Sequence, residues 1–139
     1  MKDTTDLARA WFAKAESDLM AVRHILGSGG PYDTACFHIQ QAVEKYLKGF
    51  LCFHNRAFPF THDLQRLAKL CSAVNPSLQL GTPEVLALTD YACGLRYASD
   101  FWPSKQDAAS ALGVAERVRA DILGALPPEV RPQPTETAD

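Results

Sequence analysis

The sequence predicts an all-α protein, an up-and-down four-helix bundle with an additional short helix, five helices in all. Three observations predict it. Apolar residues recur every three to four positions in separate segments, the period of one helix face. Glycine, proline or a capping side chain bounds each segment. Nothing alternates with the period of two that a half-buried strand needs.

The first helix is expected over about Thr5 to Leu26, with Leu7, Trp11, Ala15, Val22 and Leu26 on its apolar stripe. Gly27-Ser28-Gly29-Gly30-Pro31 stops it, because glycine accepts the left-handed cap and proline cannot continue a helix. The second helix is expected from an Asp33 cap to Phe53. A loop, Asn55 to Phe60, holds Pro59 as a breaker. The short helix should start at Thr61 and carry Leu64, Leu67, Ala68 and Leu70 to about Ala73. Thr82 caps a fourth helix with Pro83 at its favoured first position, and Val85, Leu88, Ala92 and Leu95 carry its stripe to near Tyr97. Ser104-Lys105-Gln106-Asp107 is a capping box that opens a last helix with Ala108, Ala111, Ala115, Val118 and Ile122. Residues 1–126 form the expected domain. Residues 127–139, with four prolines, form an expected mobile tail.

The composition bounds the function. The chain has 139 residues, enough for one domain with a real core. It is 47% hydrophobic and 22% charged, so wholesale disorder is excluded. The net charge of -2 gives no global attraction to nucleic acid, so any basic site must be local. Residues 38–70 hold 5 basic and 2 acidic side chains, which makes the middle third the place for an anion. No apolar run approaches the roughly 20 residues of a membrane span. The opening MKDTTDLARA lacks an apolar signal core, which points to the cytoplasm. Cys36, Cys52, Cys71 and Cys93 sit in apolar stretches without a CxxC, as reduced core thiols do.

Several chemistries are demoted. Cys36-Phe37-His38 and Cys52-Phe53-His54 are not metal motifs, because residues i and i+2 on a helix point about 200° apart. No metal and no cofactor is expected. GxSxG, the P-loop and GxGxxG are all missing from the sequence.

The second helix is the informative one. Ile39, Val43, Tyr46, Phe50 and Phe53 cluster on one side, and His38, Gln41, Lys45 and Lys48 on the other, within roughly an 80° arc. That polar side is either a solvated face or a stripe for an anion or a partner, with Glu44 lying off it. On the first helix Asp18 falls about 20° from Trp11, inside the apolar stripe. A buried carboxylate needs a cation or several donors, and Arg96 is the candidate partner.

These residues resemble the HEPN family (higher eukaryotes and prokaryotes nucleotide-binding). Trp11 to Leu19 resembles its W-x-x-x-A-x-x-D-L opening, and Phe37 to Lys48 its F-H-x-Q-Q-A-x-E-K-x-L-K helix. Thr61-His62-Asp63-Leu64 is similar to its T-H-D-L, and Arg96-Tyr97 to its late R-Y. The resemblance implies a five-helix homodimer, in many small members paired with a minimal nucleotidyltransferase, sometimes as toxin and antitoxin. It also implies nucleotide or RNA binding, and in one branch metal-independent ribonuclease activity through R-x(4–6)-H. Here no histidine follows Arg96 at that distance, and Arg56 with His62 gives only a formal match from a loop. The sequence therefore favours a non-catalytic binding protein. The expected ligand residues are His38, Gln41, Lys45, Lys48, His62, Arg96 and Tyr97: lysines on phosphates, Arg96 forked onto phosphate or Asp18, Tyr97 stacked on a base. The alternatives are a ribonuclease toxin using Arg56 and His62, and a purely structural interaction module.

Overall fold

A computed structural model describes residues 3–132. Among these residues the fold is all-helical, with five α-helices and no strand. They are α1 (Thr4–Ser28), α2 (Tyr32–Phe53), α3 (Leu64–Val74), α4 (Pro83–Ala87) and α5 (Lys105–Gly124). Three short 3-10 turns, Leu88–Tyr91, Leu95–Tyr97 and Pro128–Val130, complete it.

Local chemistry accounts for most of the boundaries. The Asp3 side chain caps α1, and Gly29 ends it in the left-handed region at φ 92°. Ser104 and Asp107 form the expected capping box of α5. Thr82 caps α4 with Pro83 at its start. Two expected caps move. α2 starts at Tyr32 after Pro31 and places Asp33 in its first turn. α3 is capped by Asp63, while the Thr61 hydroxyl accepts from the Asp63 N–H.

The fourth helix is much shorter than its stripe predicts. It stops at Ala87 and tightens into 3-10 geometry, with Ala92 N–H bonded to the Thr89 carbonyl and Cys93 N–H to that of Asp90. A tertiary bond intervenes: the Thr89 hydroxyl accepts from the Leu64 N–H and so serves the start of α3.

α2 is the central rod. It is packed against α1, α3, α5 and the Leu88–Tyr91 turn. Ile39, Val43, Tyr46, Leu47, Phe50 and Leu51 are fully buried on it, and so is Gln40. α1 runs antiparallel to α2, so Asp18 meets His38 and Lys45 while Phe12 meets Gly49. α5 closes the bundle: Arg119 and Tyr46 both bond Glu16 of α1. After α2 the chain doubles back, which returns His62 to Glu44 and lets α3 run from there towards Leu51 and Arg56.

Part of the stretch expected to be mobile is docked. Val130 is buried, and the Arg131 guanidinium donates to the Leu123 and Leu126 carbonyls at the end of α5. Residues 133–139 of the expected tail lie outside the described residues.

Candidate functional site

The seven expected ligand residues fall into two contact groups, one on Glu44 and one running from Asp18 to Arg96. His62 and Lys48 both reach Glu44, His62 Nδ1 at 2.8 Å and Lys48 Nζ at 3.0 Å. Gln40 donates to Glu44 at 3.3 Å and to the His62 carbonyl, and Gln41 donates to Gln40. One turn on, Lys45 Nζ and His38 Nδ1 both reach Asp18, at 2.6 and 2.8 Å. The His38 ring packs edge-on against Phe37, whose face carries the Arg96 guanidinium at 3.6 Å. Tyr97 is next to it, with its ring 5.8 Å from the same guanidinium.

Most of both groups is neutralised from within. The Asp18–Arg96 contact expected from the sequence does not form. Antiparallel packing of α1 on α2 brings Lys45 and His38 to Asp18 instead, and Arg96 goes to an aromatic face. Nor does Glu44 stand apart from the stripe: it takes Lys48, His62 and Gln40. Lys48 is 6% exposed, with its ammonium within 5.8 Å of the rings of Trp11, Phe58 and Phe60. The wheel assigned these residues to a wet face because it assumes one solvated side; a helix surrounded by three others has almost none.

A carboxylate only accepts, so each bridging histidine donates through Nδ1 and keeps Nε2 for other work. The His62 side chain is 48% exposed, that of His38 32%. No buried side-chain nitrogen or oxygen among the described residues lacks a hydrogen-bond partner.

Arg96 differs from the lysines. It is exposed and forms no ion pair among the described residues. A hollow of about 160 Å³ lies beside it, lined by Asp33, Thr34, Phe37, Arg96 and Phe101. Phe101 is held by a stacked Tyr91, with centroids 5.7 Å apart. Tyr97 and Trp102 are 78% and 75% exposed nearby in the chain. An unpaired guanidinium over a ring, with exposed aromatic side chains nearby in the chain, can take a phosphate, a base edge or a base face. The sequence pointed to Arg96 and Tyr97 and missed Asp33, Phe37 and Phe101 as their neighbours. Only Phe37, adjacent to His38, carried a local signal.

Arg56 and His62 are not brought together. Arg56 lines an apolar hollow with Leu51, Leu70, Ala73 and Val74, at the far end of α3, whereas His62 precedes its start. Eleven helical residues separate those ends, roughly 16 Å of helix. No three His, Cys, Asp or Glu residues converge as a metal site, and no helix is long and apolar enough to cross a membrane, among the described residues.

A family model described as HEPN domain matches residues 8–124. No curated protein and no solved structure matches the chain.

Proposed function

The chain belongs to the HEPN domain family, and on that premise we propose that it is a non-catalytic binding module for a nucleotide or a single-stranded RNA segment. The observation that carries this is Arg96: an exposed guanidinium that makes no ion pair among the described residues, its carbon 3.6 Å from the centroid of the Phe37 ring. Arg96 holds a base edge, and Tyr97 and Trp102 supply stacking faces. His38 and Lys45 belong to the same contact group. Because Asp18 already satisfies them, they adjust the field without holding an anion alone.

The ribonuclease alternative has less support. Metal-free cleavage needs an acid-base group and a phosphate-holding cation at one bond. The two members of the formal R-x5-H spacing lie at opposite ends of α3.

A second reading is favoured by Phe60, 99% exposed beside Lys48 and His62. It makes this face an interface, for a second copy in a homodimer or for a nucleotidyltransferase partner in a toxin–antitoxin pair. Phe60→Ser then lowers the oligomeric state in sedimentation and leaves nucleotide binding intact.

A thermal-shift series with nucleotides and short RNAs tests the leading proposal. A ligand at 100 times its Kd adds about 2.7 kcal/mol of stability. Arg96→Ala removes the shift, and Lys48→Ala is uninformative because it disturbs the core. No shift with any nucleotide or RNA overturns the proposal.

A further inference from the structure

We infer that the hollow beside Arg96 is a guanine subsite, an inference that rests on the nucleotide-binding reading above and names its base.

The first ground is charge. Asp33 and Arg96 line the same hollow, yet they form no ion pair with each other, and Asp33 pairs with no other cation among the described residues. A carboxylate and a guanidinium that face one small space without neutralising each other suit a ligand that is an acceptor on one edge and a donor on the next. They exclude an all-acceptor ligand such as a bare phosphate, which Asp33 repels.

The second ground is shape and preorganisation. About 160 Å³ is room for one base. Its walls are already placed: Arg96 lies on Phe37, and Phe101 is stacked with Tyr91. Few side chains then need ordering when the base enters, which keeps the cost of binding low.

The third ground is the donor and acceptor pattern of the bases. Guanine offers O6 and N7 as an adjacent acceptor pair, which a guanidinium fork matches. Its N1–H and N2 amino group are an adjacent donor pair, which a carboxylate matches. Adenine and cytosine each set an unprotonated ring nitrogen beside their single amino group, and its lone pair meets the Asp33 carboxylate unfavourably. Uracil presents one N–H between two carbonyls. Guanine alone satisfies both charged walls at once. Thr34 adds a hydroxyl at the rim that can donate or accept. Tyr97 and Trp102, outside the hollow and largely exposed, are left to stack the neighbouring bases of a strand.

The test is fluorescence anisotropy with labelled five-nucleotide RNAs that differ only in the central base, flanked by adenosines. The guanine-centred strand should bind roughly tenfold tighter than the other three. Asp33→Asn should bring the four within about twofold, weakening the guanine-centred strand and tightening the adenine- and cytosine-centred ones, since an amide both accepts from an amino group and donates to the ring nitrogen beside it. The Asp33 side chain makes no hydrogen bond or ion pair within the described fold, so the substitution leaves folding intact; circular dichroism checks this, and Asp33→Ser serves as a second variant. Arg96→Ala should weaken all four strands. Equal binding of the four strands, or a guanine preference that survives Asp33→Asn, overturns the subsite and leaves the RNA-binding reading standing. Failure of every strand to bind at submillimolar protein overturns that reading and the subsite together.

Discussion

Gly49 faces the ring of Phe12: a methyl group built on it would fall 2.5 Å from Phe12 Cε1 and 3.0 Å from the Trp11 Cβ. This glycine lets α1 and α2 approach closely enough for Asp18 to reach Lys45 and His38. Phe12 is fully buried and stacked with Tyr46, so its ring has little room to yield. In a helix, Gly→Ala ordinarily gains up to about 1 kcal/mol. Overpacking here costs about 1–3 kcal/mol and should exceed that gain. Gly49→Ala should therefore lower the urea midpoint, and a raised midpoint would show that α1 can move away.

Glu16 ties three helices together, accepting from the Tyr46 hydroxyl at 2.6 Å and from Arg119 of α5. Burial and the adjacent Glu16 carboxylate hold the Tyr46 phenol well above its ordinary range, so it stays a donor at any working pH. Tyr46→Phe should cost about 1 kcal/mol. Glu16→Ala should cost more, because it strands a buried hydroxyl and frees Arg119. A double-mutant cycle checks the coupling, and additive losses would mean that the two contacts are independent.

Lys48 and Glu44 are both almost completely buried, at 6% and 4% exposure. Removing Lys48 leaves the buried Glu44 carboxylate with its His62 and Gln40 hydrogen bonds and no ammonium. Lys48→Met should destabilise by about 3 kcal/mol. Glu44→Gln combined with Lys48→Met should restore most of the loss, since no unpaired charge remains. Chemical denaturation of both variants decides it. A single variant within roughly 0.5 kcal/mol of the parent would place Lys48 at the surface, where substitutions are nearly neutral.

How much of this was legible depends on the range of the interactions. The capping box of α5 and the glycine stop of α1 are set by residues three or four apart, and they read directly from the chain. The early end of α4 falls two residues before Thr89, whose hydroxyl bonds the start of a helix 25 residues upstream, a contact that periodicity does not report. The polar stripe of α2 was legible as a set of residues, which contacts divide between Asp18 and Glu44. Its neutrality was not legible, because Asp18 and His62 arrive from other elements. One sign was local: Glu44 and Lys48 stand four apart on a helix, the spacing of an ion pair.

The thiols give a pH dependence of defined sign. Burial raises Cys36 to about 11 and Cys71 to about 12, against an ordinary 9.0. A raised acid pKa in the folded state means that the native protein holds its proton where the unfolded chain has lost it. Stability from these groups is complete below pH 9.0 and falls as pH rises through 11 and 12. The same burial protects them from alkylation. In the native protein near neutral pH, exposed Cys93 should react first and Cys36 and Cys71 only on unfolding. Peptide mapping after brief iodoacetamide treatment checks this, and early modification of Cys71 would contradict it.

The separation of Arg56 from His62 predicts the outcome of an RNA cleavage assay. His62 Nδ1 is held by Glu44, and its outward nitrogen could act as a base. Neither of the cations considered for it is at hand: Lys48 is committed to the same carboxylate, and Arg56 lies beyond the far end of α3. Without a cation on the phosphate, a histidine alone gives only a small part of the acceleration that nucleases reach. A labelled single-stranded RNA incubated with the protein in EDTA should stay intact, and His62→Ala should change nothing. Cleavage that disappears in both Arg56→Ala and His62→Ala would require the two to meet across a dimer, Arg56 of one protomer with His62 of its partner. That result would return the protein to the catalytic branch of its family.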